Sequence, residues 1–233
     1  MEIHPPKAAH NLREFAIELM TIVAGIVIAI SLEQAVESIH WHHKVETARE
    51  SLREELQEAD DFYQFRVTAN ECVGQRLSQL NDIAEAAARH EHSESVGDLT
   101  LHIGHLLADD AWQSERAAQS LVHFPLAERK AYSQTYGQQN DIRGWVNQEL
   151  AAWAAIRLLQ GDPGTLTPSD FTVIRQNIQI ARTLNYLIVL NAGAQLERAS
   201  KLGLPKGRVA SDEARAVCTP LKRTAPTLPY TTY

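Results

Sequence analysis

Only two cysteines occur in 233 residues. That excludes a disulfide-dense scaffold and any Cys₄ zinc module. The chain has no Cys-x-x-Cys, no His-Glu-x-x-His, no glycine-rich phosphate loop and no nucleophile elbow, so the enzyme classes that announce themselves by motif are missing. Positive charge is in short supply: 22 Lys and Arg face 29 Asp and Glu, a formal net charge of -7. A nucleic-acid binder that works by charge alone is excluded on that ground. No stretch alternates apolar and polar residues for long enough to read as a strand, which leaves helix as the regular element. Proline is missing from residues 7 to 96, where glycine occurs only at Gly25 and Gly74. Nothing in that interval forces a helix to stop.

What is present near the N-terminus is an apolar block. Residues 19–32 carry no charge, and extending back to Phe15 adds only Glu18. Eighteen helical residues rise about 27 Å, close to the thickness of a bilayer's hydrocarbon core. The sequence therefore predicts a transmembrane anchor over residues 15–36, with a cytoplasmic tail at 1–14. A buried core helix is the bland alternative, but no comparably apolar stretch exists to surround it. A cleaved signal peptide is the other alternative. Against it, the residues after Ser31 continue in helical pattern with no breaker. Lys7 and Arg13 precede the span while Lys44 and Arg49 follow it, so the positive-inside count is a tie. The two bases on the short tail favour a cytoplasmic N-terminus and an extracytoplasmic main domain.

Beyond the span, Leu52, Leu56, Ala59, Tyr63, Arg66, Asn70, Val73, Leu77, Leu80, Ala84 and Ala87 follow a 4,3 spacing. That spacing places them on one helical seam. Span and seam together predict one rod from Leu12 to about Ala88. Residues 33–51 show a weaker seam and read as a solvated stalk or a contact for another chain. Residues 33–61 hold nine acids against three bases, so most of the chain's negative charge sits on this part. An apolar stripe this long is not stable alone in water and calls for later segments as partners. A second helix is predicted from Asp98 through Leu107. Asp109-Asp110 either breaks that helix or caps the next short segment, which carries Trp112, Ala117, Leu121 and Val122. A third helix starts at Pro125 and runs to about Gln160, with Tyr132, Tyr136, Ile142, Val146, Leu150 and Trp153 inward. Thr167-Pro168-Ser169-Asp170 reads as a capped start of a fourth helix. That helix turns Phe171, Ile174, Ile178, Ala181, Asn185, Ile188, Ala192, Gln195 and Ala199 inward. The fold class is all-α: a single transmembrane helix continuing into a stalk that packs in an antiparallel helical bundle. The stalk and bundle occupy 37–204. Residues 205–233, with four prolines, read as an irregular tail.

Few residues stand out chemically. Glu18 is a carboxylate inside an apolar span, and Thr21, Gly25 and Ala29 share its face. Such a stripe of small residues lets a second helix approach closely. The plainer reading has Glu18 reaching to the headgroups and Gly25 facing lipid. Trp41 fits an interfacial anchor. His40 and His43 lie one turn apart, with Glu37 one turn before. Glu-x-x-His occurs in di-iron bundles, but a single copy does not make such a centre. These two histidines are weak metal candidates, and the sequence implies no cofactor. His90, His92, His102 and His105 are no stronger. Cys72 and Cys218 can close a loop across 146 positions in an oxidising compartment, or remain free thiols in a reducing one.

Four features together resemble a broad group of uncharacterised bacterial proteins with one N-terminal membrane anchor. They are the Glu18, Gly25, Ala29, Glu33 pattern of the span, the run Arg49-Glu-Ser-Leu-Arg-Glu-Glu-Leu56, the pair Ala111-Trp112, and Phe124-Pro-Leu followed by Tyr132 and Tyr136. The resemblance covers residues 12–155. It implies a helical domain tethered to the bacterial inner membrane and no known activity. The sequence thus leads to a non-enzymatic interaction, assembly or accessory subunit. Its partners would be the bilayer and either a membrane protein or a second copy. An extracytoplasmic sensor with a pocket between helices three and four is the alternative. A metal-dependent enzyme built on the histidines is the third reading.

Overall fold

The computed structural model describes residues 12–89, 96, 97, 99, 107–160, 162–209, 216–219 and 221. Among the described residues, four α-helices make the fold: α1 (Leu12–Ala88), α2 (Asp110–Ala117), α3 (Leu126–Ile156) and α4 (Pro168–Lys201). A 3₁₀ turn, Ser120–His123, joins α2 to α3. Two more such turns lie between α3 and α4. The fold is all-α, as the patterning predicts.

Helix α1 is unbroken for 77 residues. At 1.5 Å per residue it is about 115 Å long. Its two halves have different surroundings. From Leu12 to His40 every side chain is exposed, and the apolar window there buries nothing inside the molecule. From Val45 onward α1 buries one continuous face, through Ala48, Leu52, Leu56, Ala59, Tyr63, Val73, Leu77, Leu80 and Ala84 to Ala87. Each large aliphatic on that face contributes about 1.5–3 kcal/mol by leaving water.

The core forms three clusters stacked along α1. Nearest the span, Val45, Ala48, Leu52 and Leu56 meet Leu121, Phe124, Tyr132 and Tyr136. Next, Ala59, Phe62 and Tyr63 meet Leu107, Ile142, Val146, Ile188 and Ala192. Farthest out, Leu77, Leu80 and Ala84 meet Val96, Leu99, Trp153, Ile156, Ile174 and Ile178. This order fixes the topology. Helix α1 runs away from the span, and Leu99, Leu107 and Leu121 mark a return toward it. Helix α3 then runs outward beside α1, and α4 comes back antiparallel to both.

The capping signals act where the sequence places them. Thr167 caps α4: its hydroxyl accepts the Asp170 amide, and the Asp170 carboxylate accepts the Thr167 amide. Pro168 opens the helix, where its missing N–H costs nothing. Helix α3 begins at Leu126, with Pro125 one residue earlier in extended backbone.

Four expectations need correction. The stalk is shorter than predicted, because Val45 and Ala48 already lie in the core, and Leu121 and Phe124 supply the partners. Leu150 is exposed on α3, where Glu149 takes the inward position. Of the second predicted helix, Leu99 and Leu107 are described, and both are buried without being helical; its other residues lie outside the described part, as do His90, His92, His102 and His105. Asp109 does not cap α2 with its side chain, which pairs instead with Arg143 on α3 at 2.7 Å. That guanidinium holds the Asp109 carboxyl below the usual carboxylate range.

Candidate functional site

The predicted membrane face can be inspected directly. Glu18, Thr21, Gly25 and Ala29 are all exposed on α1. The Thr21 hydroxyl donates to the Ile17 carbonyl at 2.8 Å, and the Ser31 hydroxyl donates to Val27 at 2.7 Å. Both polar side chains are therefore satisfied within the helix, which suits a medium without water. A Cβ placed on Gly25 would meet nothing within 4 Å, so this face is open. Glu18 meets no partner among the described residues.

Past the span, α1 meets the rest of the molecule at Trp41. The indole stacks on His123 from the 3₁₀ turn, centroids 3.6 Å apart and planes 16° from parallel. Lys44 lies over the same indole at 5.0 Å, and the indole N–H donates to Glu37 at 3.4 Å. His40 packs edge-on to Trp41, and His43 is tilted against His42. No group of three or more His, Cys, Asp or Glu gathers around His40 and His43 among the described residues.

About two turns beyond Trp41, Arg49 is gripped by Glu128 of α3 at 2.6 and 2.9 Å and by Glu46 of its own helix. Those carboxylates push the Arg49 guanidinium well above its ordinary range. A cleft of about 590 Å³ lies here, lined among others by Trp41, His42, Glu46, Arg49 and His123. A second, of about 790 Å³, lies on the other side of Arg49, against Gly203, Leu204 and Pro205. Both follow α1. Helices α3 and α4, by contrast, are packed together through Ile142, Val146, Ile188 and Ala192, and the Gln195 amide donates to the Thr135 carbonyl at 2.8 Å.

Among the described residues, the bundle interior holds a buried ion pair. Arg66 of α1 forms a two-pronged pair with Glu149 of α3, at 2.7 and 2.9 Å. It also donates to Asn185 Oδ1 of α4 at 2.8 Å. Asn185 in turn donates to Asn70 at 2.8 Å. Arg66 is 2% exposed and Glu149 0%, so the pair has been taken out of water. Such a pair is weak evidence for stability, because desolvation offsets the attraction. What it does specify is register, since the contacts of Arg66 with both Glu149 and Asn185 require one alignment of α1, α3 and α4.

After α4 the chain turns at Leu202 and runs back outward along α1. Gly203 has φ 74°, a left-handed conformation that glycine adopts without strain. The Arg53 guanidinium donates to the Leu202 carbonyl at 2.8 Å. Asp60 accepts the Gly207 amide at 2.8 Å, and Asp61 accepts the Arg208 amide at 2.6 Å. Farther out, Arg76 donates to the Val217 and Thr219 carbonyls. Cys72 and Cys218 are joined by a disulfide, Cα to Cα 4.8 Å. This strap rests so closely on α1 that a Cβ at Gly207 would sit 2.5 Å from the Asp60 carbonyl oxygen. Burial pushes the Asp60 carboxyl above its usual value, although the Gly207 amide opposes that.

Sequence reasoning singled out Glu18, Thr21, Gly25 and Ala29, Trp41 and the two cysteines, and of these the cysteines are joined. It missed Glu149, Asp60, Gly207 and His123. An arginine at a seam position was the signal for Glu149, since a buried guanidinium needs a carboxylate from a facing helix. Nothing local marked His123 as the residue that would meet Trp41. No family model, curated protein or solved structure matches this chain.

Proposed function

We propose that this protein is a non-enzymatic, membrane-anchored helical subunit that works by interaction or assembly within a membrane-associated complex. The observation that carries the reading is the anchor half of α1. It is long and apolar enough to cross a membrane, buries nothing in its own chain, and continues without a break into a folded bundle. Within residues 15–32 the one charged residue, Glu18, shares a face with Thr21, Gly25 and Ala29, which suits close approach by a second helix. The bilayer of a bacterial inner membrane is the setting the sequence resemblance implies. An extracytoplasmic, oxidising location for the bundle is supported by the Cys72–Cys218 bridge.

The test is crosslinking in native membranes with a photoreactive side chain at Gly25 or Ala29. The expected product is a covalent adduct to one defined membrane protein or to a second copy of the chain. Adducts to lipid alone, together with a strictly monomeric detergent-solubilised protein, would overturn the reading. A reporter fused to the C-terminus tests the orientation, for which activity of a periplasm-dependent reporter is expected.

A further inference from the structure

The bundle has an end that faces the membrane, and it is not merely the place where α1 enters. The 3₁₀ turn Ser120–His123 is the lowest point of the returning segment, and α3 starts there before running away from the span. Two large apolar side chains at this point have no cover. Val122 is 61% exposed and Leu126, the first residue of α3, is 70% exposed. Between them His123 stacks on Trp41. That contact fixes the height of the turn. Trp41 lies five helical residues beyond the 15–36 anchor, a rise of about 7.5 Å. The headgroup layer on each side of the hydrocarbon core is roughly 5–8 Å deep. Trp41 and the turn stacked on it therefore fall at the depth of the headgroups.

We propose that Val122, His123 and Leu126 form a second, peripheral contact with the same bilayer, a foot that seats the end of the bundle in the headgroup layer beside the span. The inference rests on residues 15–36 crossing the membrane. Trp41 and His123 present a paired aromatic surface of the kind that partitions to the interface, and Val122 and Leu126 supply the apolar area beneath it. The occupant is a neutral headgroup layer. Acids and bases balance around the foot: Glu37, Glu46, Glu50 and Glu128 stand beside Lys44, Arg49, Arg129 and Lys130, and Arg49 is paired with Glu128 and Glu46. No surplus of bases is left to select anionic lipid. With the foot seated, the bundle is held at two points on the membrane and cannot swing freely about α1.

The full chain is reconstituted in phosphatidylcholine vesicles doped with a phosphatidylcholine that carries a diazirine at the top of one acyl chain. After illumination, adducts are mapped by peptide mass spectrometry. The expected pattern is adducts in 15–36 and in 120–126, with those at 120–126 several-fold above those at Leu158 and Tyr186, two exposed positions remote from the foot. Substituting Val122→Ser with Leu126→Ser should remove the 120–126 adducts and leave the span's adducts unchanged. Both side chains are exposed, so the fold is not at stake; an unchanged bundle melting curve checks that. Adducts in the span alone would overturn the foot while leaving the anchor in place. Adducts in neither region would overturn both. Equal labelling at Leu158, Tyr186 and 120–126 would also overturn the foot, because it shows no preferred depth.

Discussion

The two halves of α1 are one helix with two different surfaces. Residues 15–32 carry one charge, Glu18, are otherwise almost wholly apolar, and are buried against nothing in the chain. From Val45 to Ala87 the same helix is one-sided, apolar toward the bundle and charged toward water. Each half carries a charged side chain on an otherwise apolar stretch, and their treatment differs. In the bundle, Arg66 is met by Glu149 and Asn185. In the anchor, Glu18 is met by nothing among the described residues. In the proposed membrane setting a carboxylate without a partner is expensive, so the contrast points to the headgroups, water or another chain as the partner of Glu18.

The contrast can be broken first at the strap, which only the bundle half possesses. Replacing Cys72 and Cys218 together by serine releases a loop spanning 146 positions. The expected loss is about 5 kcal/mol in the chain-entropy model, read from denaturant melts of the detergent-solubilised chain. Unchanged melts would mean that the bridge constrains nothing. The second largest effect is expected for Glu149→Ala. Leaving Arg66 buried and unpaired should cost about 3–5 kcal/mol, and adding Arg66→Met should recover most of it. The parallel change in the other half, Glu18→Ala, should leave the bundle melt within about 0.5 kcal/mol of the original. If Glu18→Ala destabilises the bundle as much as Glu149→Ala does, the two halves are not separable.

Gly207→Ala sharpens the comparison by forcing the strap away from Asp60. Overpacking against backbone should cost about 1–3 kcal/mol, without loss of the disulfide in a thiol assay. The smallest expected effect is a pH dependence confined to the bundle half. Asp60 has its carboxyl raised above the usual 3.8 by burial. The folded state therefore holds its proton more tightly than the unfolded chain does. Its contribution is fully present below 3.8 and is lost as pH rises through the higher folded value. Asp109, lowered by Arg143, acts in the opposite sense, losing its contribution as pH falls. The difference between parent and Asp60→Asn melts should thus shift against the parent with rising pH and then level off. A difference that is flat through the acid range would show that Asp60 keeps its solvent pKa in the fold.

Much of this was legible because helix periodicity is local. The 4,3 spacing from Leu52 to Ala87 predicted the buried face of α1, and Thr167-Pro168 predicted the start of α4. Asn70 is the one seam residue left exposed, and its amide still reaches Asn185. The wrong expectations came from contacts that spacing cannot carry. Asp109 looked like a cap because caps are local, but its partner Arg143 lies 34 positions later. Leu150 looked inward because it is apolar, whereas the three-way arrangement around Arg66 requires Glu149 there. The early start of the core at Val45 depended on Leu121 and Phe124 arriving from a turn. Of the site itself, the long apolar stretch of α1 was visible in the sequence because hydropathy is local. The foot was not, because it exists only where His123 meets Trp41.

The unbroken backbone of α1 has a mechanical meaning. Sharp bends in a helix come from proline, a bulge or an inserted side chain, and residues 12–88 run as regular α-helix throughout. The segment between the apolar block and Trp41 is therefore a shaft without a joint. A rotation imposed on the span has no hinge in which to dissipate and reaches Val45 as torque. Along α1 it works against the Trp41–His123 stack first, then the Arg49–Glu128 clasp and the Arg66–Glu149 lock, in the order in which they stand along the axis.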